Sequence, residues 1–430
     1  MEVRPVEAGG RKLGMGKSVE GERRKSMMRK AIALGLVLAM ICGLAAGIAE
    51  SAITIPVVEG MKEFEKPDNE ALAFVRAMKA GWNLGNTFDA YDDDGWFKGT
   101  GDAMETAWVG TKARTTPEAI AAVHEAGFET LRLPVSWHNH VDQNDQIDPI
   151  WLNRVKEVAD YALNVGMYVI VNVHHDNNKN YFYPDEEHYA RSAQYLTAIW
   201  TQVANTFRDY DDHLILESMN EPRLVGTNFE WYWTESDAAC QEAADCINRL
   251  NQLFVDTVRA TGGQNATRYL AVPAYDASPY YAVNEAFQLP KDTADNRIIV
   301  SAHAYTPYDF ALNLSSSDHT FDLEKDSNKK AEISQFLNGL YQRFVSVGIP
   351  VIMDEFGAME KSGNLQDRVN FAAYYVAAAS ARGITCCWWD NHVFKGNGER
   401  FGIFDRIKCE WAYPEIVQAI QANCLYQRGQ

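Results

Sequence analysis

Leu214-Ile215-Leu216-Glu217-Ser218-Met219-Asn220-Glu221-Pro222 and Gly348-Ile349-Pro350-Val351-Ile352-Met353-Asp354-Glu355-Phe356-Gly357 share one plan: a short apolar run that ends on a glutamate. Each reads as a buried strand carrying a carboxylate at its C-terminal end. In a barrel of parallel strands all such ends open on one face, so two glutamates far apart in the chain can meet across one pocket.

The rest of the chain after residue 55 fits that barrel. Apolar, strand-like runs are predicted at 81–85, 129–133, 168–173, 214–219, 269–272, 298–301, 351–353 and 384–388. Between them lie amphipathic stretches with helical spacing, such as 149–165, where Val155, Val158, Ala159 and Ala162 share a face. Gly127, Gly166, Gly262, Gly348 and Gly383 stand where helix C-caps are needed. Eight strands alternating with helices predict an α/β fold, a (β/α)8 TIM barrel forming a single catalytic domain over 50–430. A doubly wound open sheet fits less well, because no glycine-rich phosphate loop follows the first strand.

Residues 1–49 are a different kind of sequence. Arg23, Arg24, Lys25, Arg29 and Lys30 precede an apolar run from 31 to 48, with small residues at Gly47-Ile48-Ala49. This predicts an N-terminal extension and secretory signal peptide, hence a secreted, extracellular protein with no stable membrane partner after cleavage. The alternative is an uncleaved anchor, since the run approaches a bilayer-spanning length. The whole chain carries a net charge of −18; loss of nine basic and four acidic side chains with residues 1–49 leaves −23. So acidic a surface argues against nucleic acid and anionic membranes and suits an uncharged substrate. Six cysteines remain after residue 49, an even number that permits disulfides in an exported protein. Cys240 and Cys246 are the expected pair, whereas Cys386 and Cys387 read as small apolar residues in a strand.

Polar residues crowd the predicted strand ends: Asn83 and Asn86, Arg132, His174 with His175 and Asp176, Asn220 with Glu221, His303 with Tyr305, Glu355, and Trp388-Trp389-Asp390-Asn391. Polar groups cost free energy to bury unless paired, so seven strands ending this way point to a site rather than to packing. Two facing carboxyls are the minimum equipment for cleaving a glycosidic bond.

The motifs Gly81-Trp82-Asn83-Leu84-Gly85-Asn86, Arg132-Leu133-Pro134-Val135-Ser136-Trp137, Asn172-Val173-His174-His175-Asp176, Asn220-Glu221-Pro222, His303-Ala304-Tyr305-Thr306-Pro307, Glu355-Phe356-Gly357 and Trp388-Trp389-Asp390-Asn391 occur in this order, one per predicted strand. With them the chain, from about residue 60 to 425, resembles glycoside hydrolase family 5, most of all its subfamily-4 endoglucanases. The resemblance implies a retaining endo-β-1,4-glucanase with Glu221 as acid/base and Glu355 as nucleophile. It implies that Asn220 binds the sugar 2-hydroxyl, that His174 and His175 bind hydroxyls of an adjoining subsite, and that Trp389, rather than Trp388, lies beneath the −1 sugar. Cellulose, mixed-linkage β-glucan and xyloglucan become the expected substrates, with β-mannan or xylan as the nearest rivals and a non-catalytic carbohydrate-binding barrel as a more distant one.

The chemistry sets further expectations. The acid should be protonated near neutral pH and the nucleophile ionised. Arg132 beside Glu355 would keep the latter anionic, Tyr305 can donate to it, and His303 can tune Glu221. Glu217 and Asp354, earlier in their strands, are assigned structural roles. His174 and His175 should point to opposite faces of their strand, which argues against a metal; no metal and no cofactor are expected. Asp92-Asp93-Asp94 lacks the spacing of a calcium loop and reads as a solvated turn. Trp96, Trp108, Trp137, Trp231, Trp233, Trp388 and Trp389 are candidates for a sugar-stacking surface. The expected form is a monomer acting on a β-glucan polysaccharide.

Overall fold

The strands form because runs of β-branched and aliphatic residues are buried on both faces, the pattern of a parallel sheet covered by helices. In the computed structural model, which describes residues 52–425, they are β1 (Ala80–Leu84), β2 (Thr130–Leu133), β3 (Tyr168–Asn172), β4 (Leu214–Glu217), β5 (Leu270–Pro273), β6 (Ile298–His303), β7 (Val351–Phe356) and β8 (Thr385–Asp390). Each pairs in parallel with the next, and β8 closes on β1 through Ala80↔Cys386 to Leu84↔Asp390. The predicted (β/α)8 barrel is present. β7 and β8 run two to three residues further than expected, because Asp354 and Glu355 are paired inside the barrel and Asp390 is paired on its outer side with Trp82, so all three stay in the ladder. The extension and apolar run of residues 1–49 lie outside the described residues.

The period-two alternation sorts the barrel interior into layers. Ile170, Ile215, Ala271, Ile299, Ile352 and Cys387 form an apolar floor. The helix Glu70–Ala77, capped by Asn69 accepting from the Leu72 amide, closes it from below with Ala71, Val75 and the following Met78. Gly81 completes the layer for want of space: a Cβ there would lie 2.2 Å from the Cys387 sulfur. Two residues further along six of the strands the interior turns polar, with Asn83, Arg132, Asn172, Glu217, Ser301 and Asp354 all buried. The apolar layer fixes the register, and the register raises the polar layer toward the C-terminal face.

Helices begin at Thr116-Pro117 and Asp148-Pro149, where the Thr or Asp side chain accepts from a first-turn amide and proline occupies the first helical position. Gly127 ends the first of these with φ of 99°, a conformation costly for any residue with a Cβ. The expected Cys240–Cys246 disulfide is absent: all six cysteines among the described residues are free. Both lie on the single helix Ala238–Ala260. Six residues of helix separate them by about 9 Å along the axis, beyond the span of a disulfide.

Candidate active site

Arg132, on β2, is fully buried and organises the C-terminal end of the barrel. Its Nε and Nη2 donate to both oxygens of Glu217 at 2.8 and 2.7 Å, and Nη2 also donates to Asn220 Oδ1 at 2.7 Å. Nη1 donates to Glu355 Oε1 at 2.6 Å and to Asn83 Oδ1 at 3.0 Å. A planar fork can serve so many acceptors at once, whereas an ammonium cannot. Because Asn220 spends its oxygen on Arg132, its amide N–H groups face the cleft. Asn83 also donates to the carbonyls of Asp354, Cys387 and Trp388, so it supports the site from beneath and does not line it.

Simple alternation would send Asp354 and Glu355 to opposite faces. A register shift in the pairing of β7 with both neighbours prevents this. Such an irregularity re-aims side chains. Asp354 accepts from Ser301 Oγ at 2.8 Å and lies 3.8 Å from Arg132 Nε. Glu355 meets the same guanidinium from above and accepts from the Tyr305 hydroxyl at 2.9 Å. Glu217 and Asp354 thus hold Arg132 and His303 without reaching the cleft.

Glu221 stands across from Glu355. His303 Nδ1 is 2.8 Å from Glu221 Oε1 and 3.6 Å from Glu355 Oε2. One oxygen of each glutamate and a ring nitrogen of His303 lie within 4.8 Å of one another. That separation suits direct attack on a sugar carbon by one carboxylate; an inverting pair needs room for a water, about 6.5–9.5 Å.

The protonation pattern departs from the sequence expectation. Burial by itself would raise Glu221, but the hydrogen bond from His303, its charge and that of Arg223 bring the carboxyl down to about 2. Burial opposes the charge on His303, yet Glu355, Asp354 and Glu221 hold the imidazole well above its ordinary range. The His303–Glu221 pair therefore carries one proton, and it rests on the imidazole. The acid form of Glu221 is one transfer away, across the 2.8 Å contact. Burial pushes Glu217 up to about 7 against the pull of Arg132. Two cations among four carboxyls leave surplus negative charge, and this enclosed group is where it is relieved.

His174 and His175 both reach the cleft, contrary to the expected alternation, with rings 4.4 Å apart edge to face. The chain leaves strand geometry after Asn172, so the period-two rule no longer applies. Burial, then the charges of His175 and Arg132, keep His174 well below its ordinary range. Burial and Arg223 bring His175 down to about 4. Asn172 donates to His174 Nδ1 at 3.1 Å, which leaves Nε2–H as the free donor. Trp389 lies parallel to His174, ring centres 5.8 Å apart, while Trp388 is buried outside the barrel with its N–H on the Phe401 carbonyl. A Cβ at Gly85 would approach the Trp389 ring to 2.9 Å, so glycine there lets the indole lie flat.

The cleft encloses about 900 Å³ and is lined by Glu221, Glu355, His174, His175, Asn220, His303, Tyr305 and Trp389. Trp108 and Trp231 also line it; Trp137 and Trp233 are core residues, their N–H groups bonded to the carbonyls of Asn172 and Cys240. Trp96 is exposed outside the cleft. Asp92 accepts from the amides of Asp94, Gly95 and Phe97, and Asp93 pairs with His138. Sequence reasoning missed Arg223, Asp276 and Glu399 in the cleft lining. Arg223 directly follows Asn220-Glu221-Pro222 and was open to discovery by adjacency. Asp276 and Glu399 lie in loops with no patterned neighbours.

The model of the family described as Cellulase (glycosyl hydrolase family 5) matches residues 92–395. Endoglucanase B of Ruminococcus albus is 39% identical over 378 residues, 88% of this chain and 86% of the relative. A family-5 lichenase from Caldicellulosiruptor sp. F32 superposes with a TM-score of 0.84 at 51% identity, covering 86% of this chain and 99% of the other. A broad-specificity subfamily-4 endoglucanase from Ruminococcus champanellensis, solved with cellotriose, gives 0.75 at 41% identity over 83% of this chain and all of the other. Sequence match, fold and site agree: the chain belongs to glycosyl hydrolase family 5, the cellulase family.

Proposed function

We propose that the protein is a retaining endo-β-1,4-glucanase that cuts internal bonds of cellulose and mixed-linkage β-glucan, and accepts xyloglucan as well. The observation that carries the mechanism is the approach of Glu221 and Glu355 to within 4.8 Å across His303. A Glu355 carboxylate oxygen attacks C1 of the −1 glucose, while Glu221 delivers a proton to the bridging oxygen of the leaving sugar. The C1–O bond breaks and a covalent glycosyl-enzyme forms. Glu221, now a carboxylate, takes a proton from water, and the hydroxide oxygen displaces Glu355 from C1. The proton that Glu221 delivers comes from the His303–Glu221 pair. Arg132 and Tyr305 hold Glu355 in line, and the Asn220 amide meets the 2-hydroxyl. Trp389 presents a flat apolar face to the ring.

The test is reducing-sugar release from carboxymethylcellulose, barley β-glucan, xyloglucan, mannan and xylan, with Glu355→Gln as control. Release from the glucans that vanishes in the variant is the expected result. Activity confined to mannan or xylan overturns the substrate, and silence on all five moves the protein to a carbohydrate-binding barrel. Export is part of the proposal, supported by the basic and apolar N-terminal segments, as is a monomeric state. The N-terminal residue and the mass of the protein in culture medium test both.

A further inference from the structure

Beyond Glu221 the cleft wall holds two polar atoms with nothing to bond. Arg223 Nη1 donates to the Glu221 carbonyl at 2.9 Å, and the guanidinium lies 3.9 Å above the Trp231 ring. Its Nε is buried and makes no hydrogen bond, with Glu230 Oε1 3.9 Å away. Asp276 belongs to the neighbouring loop after β5, tied to this turn by its amide, which donates to the Pro222 carbonyl at 2.9 Å. Asp276 Oδ1 is also buried and unpartnered. Both side chains line the cleft beside Trp231, which is 61% exposed.

The backbone makes this arrangement costly. Asp276 and Ala277 are consecutive non-glycine residues in the left-handed region, φ 55° and 47°. Strain of this kind persists where the surroundings impose it and is concentrated at functional sites. Burial, with the nearby charge of Glu221, holds the Asp276 carboxyl well above the usual range, against the pull of Arg223.

A buried N–H donor and a buried carboxyl oxygen in the same cleft wall as an exposed indole fit a group that offers hydroxyls on a flat ring. Their place relative to Glu221 says which sugar this is. The acid protonates the oxygen that leaves, so the sugar carrying that oxygen lies on the acid's own side. Trp389, His174 and Asn220 serve the opposite, glycone side. We propose that Asp276, with Arg223 Nε–H and the Trp231 face, binds hydroxyls of the leaving-group glucose and so sets the preference for a sugar over a non-sugar leaving group. The inference rests on Glu221 being the acid of a β-glucanase.

The experiment compares kcat/KM for cellotetraose with that for 2,4-dinitrophenyl β-cellobioside, whose leaving group carries no hydroxyls. Asp276→Gly removes the carboxyl and suits the left-handed backbone; Asp276→Asn keeps an acceptor oxygen and tolerates the same backbone. The loss in Asp276→Gly should be about tenfold or more greater for cellotetraose than for the aryl glycoside, with most of the difference restored in Asp276→Asn. Should Asp276→Gly fail to fold, Trp231→Ala at the exposed platform is expected to show the same selective loss. Equal losses on the two substrates, or none on either, overturn the proposal. Wild-type protein that cleaves neither substrate, or Glu221→Gln that still cleaves cellotetraose, refutes the β-glucanase reading itself and the subsite with it.

Discussion

Arg132→Lys keeps the charge at the centre of the site and removes the fork. Arg132 makes five hydrogen bonds, to the two oxygens of Glu217 and to Asn220, Asn83 and Glu355. An ammonium has three donors, so at least two acceptors lose their partner. Each buried acceptor left bare costs about 1–3 kcal/mol, so the substitution should cost roughly 2–6 kcal/mol in all. The loss divides by destination. Contacts to Glu217 and Asn83 hold the barrel end together and appear as stability. Contacts to Glu355 and Asn220 orient groups that meet the substrate and appear as kcat/KM, about tenfold for every 1.4 kcal/mol. The variant is expected to be folded, with a lower denaturation midpoint and kcat/KM on β-glucan reduced about tenfold to a thousandfold. Steady-state kinetics and denaturant titration on the same preparation give both numbers. A variant within threefold of wild type in kcat/KM and with an unchanged midpoint would falsify the claim that the fork, rather than the charge, positions the two residues.

The close approach of Glu221 and Glu355 predicts that the first product seen by proton NMR during hydrolysis is the β-anomer; an α-anomer appearing first would contradict the geometry. Glu221→Ala should lower polysaccharide cleavage by about 10²–10⁴ and spare the first step on an activated aryl cellobioside far more, which burst kinetics will read. His140 stacks 3.7 Å over Trp151, and burial brings it down to about 3. Its folded value lies below its unfolded one, so the unfolded state takes up the proton first. Stability therefore falls as pH drops from about 6.5 toward 3, by at most about 1.4 kcal/mol per pH unit. His140→Phe keeps the stack and should flatten that slope by one proton; identical slopes in denaturant titrations between pH 4 and 6.5 would count against it. With every described cysteine free, a reductant should leave the melting temperature unchanged, whereas a drop of several degrees would reveal a disulfide.

The barrel was legible because its signal is local and repeated. Eight buried runs, each closing on polar residues, need no knowledge of distant contacts to be recognised, and strand order follows from parallel neighbours in sequence. The two glutamates, Arg132, His303 and Tyr305 were legible for the same reason, since each sits on the C-terminal part of its strand or within a few residues beyond it. Where the regular period stopped, so did the reading. Asp354 and Glu355 share one guanidinium only because β7 shifts register, and His174 and His175 share the cleft only because the chain has already left β3. Cys240 and Cys246 looked like partners until one helix set them apart.

The sequence by itself determined which residue types stand at the C-terminal face, because strand alternation and the apolar floor leave them nowhere else to go. Only the tertiary structure decided their charge states and pairings. The proton on His303 rather than Glu221, the rise of Glu217 to about 7, and the unbonded atoms of Arg223 and Asp276 depend on approaches of a few ångströms between segments far apart in the chain. In a buried, low-dielectric site those distances set the energies, and no one-dimensional pattern encodes them.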